Sequence, residues 1–361
     1  MQDPSTQDPS TRYVLRSVQP EDINDLMGVA VHLNSLNLRP DRNELQQRIE
    51  HSQNSFSCRI KDAMARNYMF ALYDTVDHRV IGSSQVTARH GTAQLPHVSF
   101  CVQQQSHSCS NPNRRIKHQV LQLYWDQQGF TELGGLVLEP KHRQHPRSLG
   151  KQLSYVRFVW MAMNPKLFCS RVIAELLPPR NAQGNFVLWE TVGRHLTGMS
   201  YTQADALSNS NKQFIHDLFP HNLIYTCLLP QEAQQVIGTV GPHTKPAYHM
   251  LTRIGFHSTP YVDPFDGGPH LHAWLHEITP FCQARQVKLQ LTNNSQTSEE
   301  QPWGIIALWR PHVHNSTHQQ PQFVACTVPY TPHDNDYIMV KQPVLDCLQL
   351  QPSEPAWLLP L

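Results

Sequence analysis

The chain has 361 residues, enough for one large or two ordinary domains, and 39% of them are hydrophobic, so a sizeable core can form. Lys+Arg 29 against Asp+Glu 28 leaves a net charge of +1, which argues against a general nucleic-acid binder. Eight cysteines include no C-x-x-C pair, and no apolar run reads as a signal peptide or a membrane span, so a cytoplasmic protein with no membrane partner is expected.

The first eleven residues carry the repeat "QDPSTQDPST", polar and proline-bearing, and read as a disordered tail. A short strand follows at 13–18. Pro20-Glu21-Asp22 opens a helix with Ile23, Leu26, Met27, Ala30 and Leu33 inward, and a second helix pattern covers 44–51. Apolar runs at 69–72 and 80–81 read as strand, turn, strand. Residues 88–118 are rich in Gln, Ser and Asn and show no pattern. Leu133, Leu136, Val137 and Leu138 form a strand closed by Glu139-Pro140. Leu149, Leu153, Val156, Trp160 and Met163 then mark one face of a helix. Further on come a buried strand at 171–177, a helix at 186–196, and a helix that Thr244 caps and Gly255 ends. After residue 281 the pattern changes to "VKLQL", "WGIIALW", "QFVACTV" and "YIMVKQ", a β-rich C-terminal region. The order of elements predicts an α/β fold, a mixed sheet with helices on both faces.

Between the strand at 133–138 and the helix from 149 lie Lys141, His142, Arg143, His145, Arg147 and Lys151. Donors gathered where a helix begins make a phosphate site, because unpaired N–H groups and the positive end of the dipole point the same way. An ordinary solvated basic turn is the competing reading. His270, His272 and His276 could line a metal, but they have no paired cysteine or acid at ligand spacing, so no metal is expected.

"TELGGLVLEP", "RVIAEL", W-x-x-x-G-R at 189–194, "LPQEAQQVIGTV" at 229–240 and "YVDPFDGGPHLHA" at 261–273 together resemble the arginine N-succinyltransferase family, within the GNAT acyltransferases. The resemblance covers 12–280, which it implies to be a GNAT-like acyl-CoA-binding domain, with 281–361 as the β-rich region. It implies transfer of a succinyl group from succinyl-CoA, the cofactor-like donor, to the α-amino group of L-arginine in arginine catabolism. Alternatives are another amine substrate, or a weakly active or non-catalytic partner in a hetero-oligomer with a related subunit; a homo-oligomer is also compatible. Leu136 matches the family's succinyl-CoA-binding leucine, acting through its main chain. Arg147 and Gly150 belong to the donor loop, read either as Arg147-Ser148-Leu149-Gly150-Lys151-Gln152 or with Ser148 and Gly150 on the family's two glycines. Glu175, Asp205, Asp263 and Asp266 lie in matched segments and suit a guanidinium. The family's proton-donor histidine falls on Gly241, which has no side chain to move a proton. His243 is the substitute, although a two-residue step along an extended chain displaces it by about 6.6 Å.

Overall fold

The structure is a computed structural model that describes residues 9–33, 38–208, 211–292, 301–310, 322–334 and 336–361. Among these residues the strands are, in chain order, β1 Tyr13–Ser17, β2 Asn67–Asp74, β3 Arg79–His90, β4 His97–Ser110, β5 Asn113–Asp126, β6 Phe130–Leu138, β7 Arg171–Glu175 and β8 Ile224–Tyr225. They continue as β9 His257–Val262, β10 Pro269–Trp274, β11 Arg285–Leu291, β12 Trp303–Trp309, β13 Phe323–Pro329, β14 Thr331–Pro332, β15 Tyr337–Val340 and β16 Pro355–Pro360. The chain divides into two compact units. Unit 1 is Met1–Ala88, Leu133–Phe168 and His276–Leu361, and unit 2 is Arg89–Glu132 and Cys169–Leu275.

In unit 1 the strand order is β14-β15-β11-β16-β12-β13-β1-β2-β3-β6. The C-terminal strands therefore extend the sheet that the N-terminal strands begin: Leu15 sits between Ala325 of β13 and Leu72 of β2. The sheet is mixed, since β11 pairs with β15 in parallel and with β16 antiparallel. Helices α1 (Ile23–Ala30) and α2 (Arg42–Phe56) bury Leu26, Val29, Leu45 and Ile49 against Met69, Ala71 and Val80. Asp41 starts α2 by accepting the Glu44 N–H at 2.9 Å. Helix α3 (Leu149–Met163) buries the face that its sequence spacing predicts, and Trp160 packs at 4.9–5.6 Å from the rings of Phe56, Tyr68, Trp309 and Phe323. Each such side chain contributes about 1.5–3 kcal/mol of burial energy.

The repeat tail divides at residue 9. Residues 1–8 lie outside the described residues, whereas Pro9–Thr11 form a 3-10 turn with Ser10 and Thr11 buried, not the disorder that composition predicts. The Arg147 guanidinium holds this turn by donating to the Ser10 carbonyl at 3.2 Å.

Unit 2 has the order β7-β10-β9-β4-β5-β8. The patternless stretch from 97 onward is the hairpin β4–β5, paired without a break from His97↔Asp126 to Ser110↔Asn113. Its inner rungs carry Val98, Phe100 and Leu121 into the core, with Trp189, Phe219 and Phe265 packed on them. Its outer rungs, 106–117, are exposed, so no alternation of apolar and polar residues was needed there. The helix expected at 186–196 contains a π-helical turn, Trp189–Gly193. A Cβ on Gly193 would lie 2.2 Å from the Trp189 ring, so the glycine of the W-x-x-x-G-R motif makes room for the indole.

Candidate active site

The loop after β6 in unit 1 begins at a break in strand geometry. Gly135 has φ +57 inside β6, the mark of a bulge, and Leu136 follows it half-buried. Glu139 N–H donates to the Ile81 carbonyl at 3.0 Å, and the Glu139 carboxylate pairs with both guanidinium nitrogens of Arg79, one contact at 2.6 Å. The Arg79 hydrogen bonds hold the Glu139 carboxyl below its ordinary value despite burial. Arg143 donates to the Leu138 carbonyl at 3.0 Å, and Arg147 lies over the Trp303 ring at 5.2 Å. Burial, then neighbouring cations, push the His142 and His145 imidazoles below their ordinary value. His145 Nδ1 accepts the Arg147 N–H at 3.2 Å, which assigns it the neutral tautomer with its proton on Nε2.

Three of the basic side chains that drew attention to this loop, Arg143, His145 and Arg147, are thus braces for it. What they leave is the start of α3, where the first N–H groups have no intrahelical acceptor. Ser148 turns the chain there at φ +51, and Gly150 faces open space, with nothing within 4 Å of where a Cβ would stand.

In unit 2 two glycine motifs close on the segment after β7. A Cβ on Gly268 would lie 2.2 Å from the Leu176 carbonyl oxygen, and one on Gly241 would lie 2.8 Å from both the Leu177 and Pro178 oxygens. Gly241 N–H donates to Leu177 O at 2.9 Å, and Gly238 N–H to Gly267 O at 2.8 Å. Position 241 is consequently filled by backbone rather than vacated by a lost histidine. His243 is exposed two residues on. Thr244 stands at the N-cap of the helix Lys245–Arg253 as expected, but without a side-chain cap bond: its hydroxyl lies 2.8 Å from Leu177 O and 3.0 Å from Gly241 O, which ties it to the same segment.

The four carboxylates singled out from the sequence lie close enough to repel one another. Burial, then Glu132, Asp263 and Asp266, push Glu175 well up. Burial and Asp263 do the same to Asp266, with Asp205 adding to it. Burial also raises Asp263, although its Oδ1 accepts the N–H groups of Phe265 at 2.7 Å and Asp266 at 2.9 Å. Asp266 Oδ1 in turn accepts the Gly268 N–H at 2.7 Å, so both aspartates also shape the turn before β10. Tyr201 is raised by burial and by the same three aspartates. Lys212 is lowered by burial while Glu175, Glu132 and Asp263 pull it back up.

Sequence spacing did not reveal His97, Glu132, Tyr201 or Lys212. His97 opens β4, and His270 on β10 stands opposite Glu175 on β7, so three distant segments meet. The Nε2 atoms of His97 and His270 are 3.3 and 3.6 Å from Glu175 Oε1. His90 Nδ1 lies 2.9 Å from Glu132, and the His90 and His97 rings are 5.3 Å apart. His272 and His276, weighed as co-ligands of His270, are not in this cluster. A cleft of about 310 Å³ beside Val240, Tyr248 and Val262 has no charged lining.

The family described as arginine N-succinyltransferase beta subunit matches residues 13–280. The chain is 33% identical over 278 residues to the arginine N-succinyltransferase of Yersinia enterocolitica, covering 76% of this chain and 79% of that one. It is 30% identical over 282 residues to arginine N-succinyltransferase subunit alpha of Pseudomonas aeruginosa, covering 77% and 82%. The solved structure of arginine/ornithine succinyltransferase subunit AI from Pseudomonas aeruginosa superposes with a TM-score of 0.79 at 25% identity, over 97% of this chain and 98% of that one. With its mixed α/β sheet, this is the fold of an N-acyltransferase. The chain belongs to the arginine N-succinyltransferase family. No helix among the described residues is long and apolar enough to cross a membrane.

Proposed function

We propose that the chain transfers the succinyl group of succinyl-CoA to the α-amino group of L-arginine in the cytoplasm. The observation that carries this reading is the cluster of carboxylates in unit 2, Asp205 and Asp266 buried and Asp263 half-buried, which suits a cationic acceptor. Family membership supports the same acceptor. On the donor side, the pyrophosphate rests on the first N–H groups of α3, with Gly150 leaving room for it and Arg147 bracing the loop. The main chain at Leu136, next to the bulge, polarises the thioester carbonyl and favours the oxyanion that develops on it. The neutral amine attacks, a C–N bond forms, the C–S bond breaks, and the amine's proton passes to His243 while the thiolate leaves. The relative named subunit alpha, together with a family described by its beta subunit, supports assembly with a related chain.

A thiol-release assay on the full chain, with succinyl-CoA and L-arginine, tests this. Thiol release that depends on arginine, with ornithine and acetyl-CoA as poorer alternatives, is the expected result. No release with any amine would overturn the reading. His243→Ala should lower kcat by about 10²–10⁴-fold if that imidazole takes the proton; an unchanged kcat would remove His243 from the mechanism.

A further inference from the structure

Two imidazole nitrogens inside unit 2 have no hydrogen-bond partner, His97 Nε2 and His270 Nε2. Their side chains are 9% and 3% exposed. Buried polar atoms are paired almost without exception, so two orphans in one place call for an occupant between them. Both nitrogens face the same atom, Glu175 Oε1, at 3.3 and 3.6 Å, without hydrogen-bond geometry. An imidazole lone pair and a carboxylate oxygen repel unless a proton or a cation lies between them. A cation at the centre reverses the sign of all three contacts.

We propose that His97, Glu175 and His270 hold one divalent cation of the zinc class. The three donor atoms lie within 4.8 Å of one another. Ligands about 2.0–2.1 Å from a tetrahedral ion are separated by roughly 3.3–3.4 Å, so the His97 contact to Glu175 has the length of a tetrahedral edge and the His270 contact, at 3.6 Å, is slightly longer. Two imidazoles and one carboxylate match zinc and its neighbours, and not magnesium or calcium, which take oxygen. Three protein ligands leave a fourth position for water. The donors come from the ends of β4, β7 and β10, which hold them on a rigid frame. The groups around them are Glu132, His90, Asp263 and Asp266, with Lys212 and Arg171 as the opposing cations.

The site stands on geometry and not on the succinyl-transfer reading, and its test needs no acyl donor. The full chain is stripped with a chelator and titrated with Co²⁺ and Zn²⁺. One equivalent of Co²⁺ should give the intense visible absorption of a four-coordinate ion, Zn²⁺ should displace it, and Zn²⁺ should raise Tm. His270→Ala and His97→Ala should each weaken binding by about 100-fold or more, while His272→Ala leaves it unchanged. Should His97→Ala fail to fold, His270→Gln gives the same readout with less loss of volume. No binding by the wild type, a six-coordinate spectrum, or binding that survives both histidine substitutions would overturn the proposal.

Discussion

The two segments that follow β6 and β7 solve opposite problems. After β6 the chain is held by side chains: Glu139 on Arg79, Arg143 on Leu138 and Arg147 on Ser10. That bracing leaves the main chain at the start of α3 open. After β7 the chain is held by main chain packed on main chain, with Gly241 and Gly268 pressed against residues 176–178. Here the backbone is closed, and the chemistry is left to buried carboxylates and imidazoles. The first arrangement tolerates sequence drift, because a brace can be replaced by another brace. The second does not, because only one residue type fits.

The sharpest way to break this contrast is to add one methyl group on each side of it. Gly268→Ala should cost about 3 kcal/mol or more, since its Cβ would meet the Leu176 oxygen at 2.2 Å and backbone must move. Gly241→Ala should cost about 2 kcal/mol for the same reason, and Gly241→His should destabilise further rather than restore a catalytic group. Urea unfolding reads all three.

Arg79→Met, which strips the loop's brace, should cost about 1–2 kcal/mol and raise KM for the acyl donor. The Glu139 carboxyl is held low in the folded state, so its stabilisation is present above the usual glutamate range and is lost as pH falls through the folded value. That acid-side slope should flatten in the variant. Asp266→Asn keeps an oxygen for the Gly268 N–H and removes a charge. Because the folded Asp266 is raised, its ionisation destabilises the fold as pH climbs past the ordinary aspartate range. The variant should gain roughly 2–4 °C in Tm at neutral pH and lose affinity for arginine. Gly150→Ala has the smallest effect on stability, a gain of about 0.5 kcal/mol in the first turn of α3, with a higher KM for the acyl donor. A loss of stability there would show that the loop is packed like the segment after β7.

The sequence made the apolar elements legible and the polar ones not. β1, α1, α2, β6 and α3 follow from their spacing, because one face of each is buried. The β4–β5 hairpin left no trace, since its outer half has water on both sides. The donor loop was visible because its charges cluster in the chain, although the structure uses Arg143, His145 and Arg147 as supports. The carboxylates were found through matched motifs. His97 was not, because nothing in a Gln- and Ser-rich stretch hints that it will face a glutamate 78 positions away. That distance closes only when β4, β7 and β10 align.

The same hairpin has a practical side. From Ser106 to Lys117 its residues are exposed and bonded mainly to each other, with His107 also meeting the Tyr225 hydroxyl at 3.3 Å, so a few residues inserted at Asn111-Pro112 displace no core atom. The exposed thiol of Cys109 at that tip offers a place to attach a dye or a surface linker without touching either the donor loop or the cluster of carboxylates.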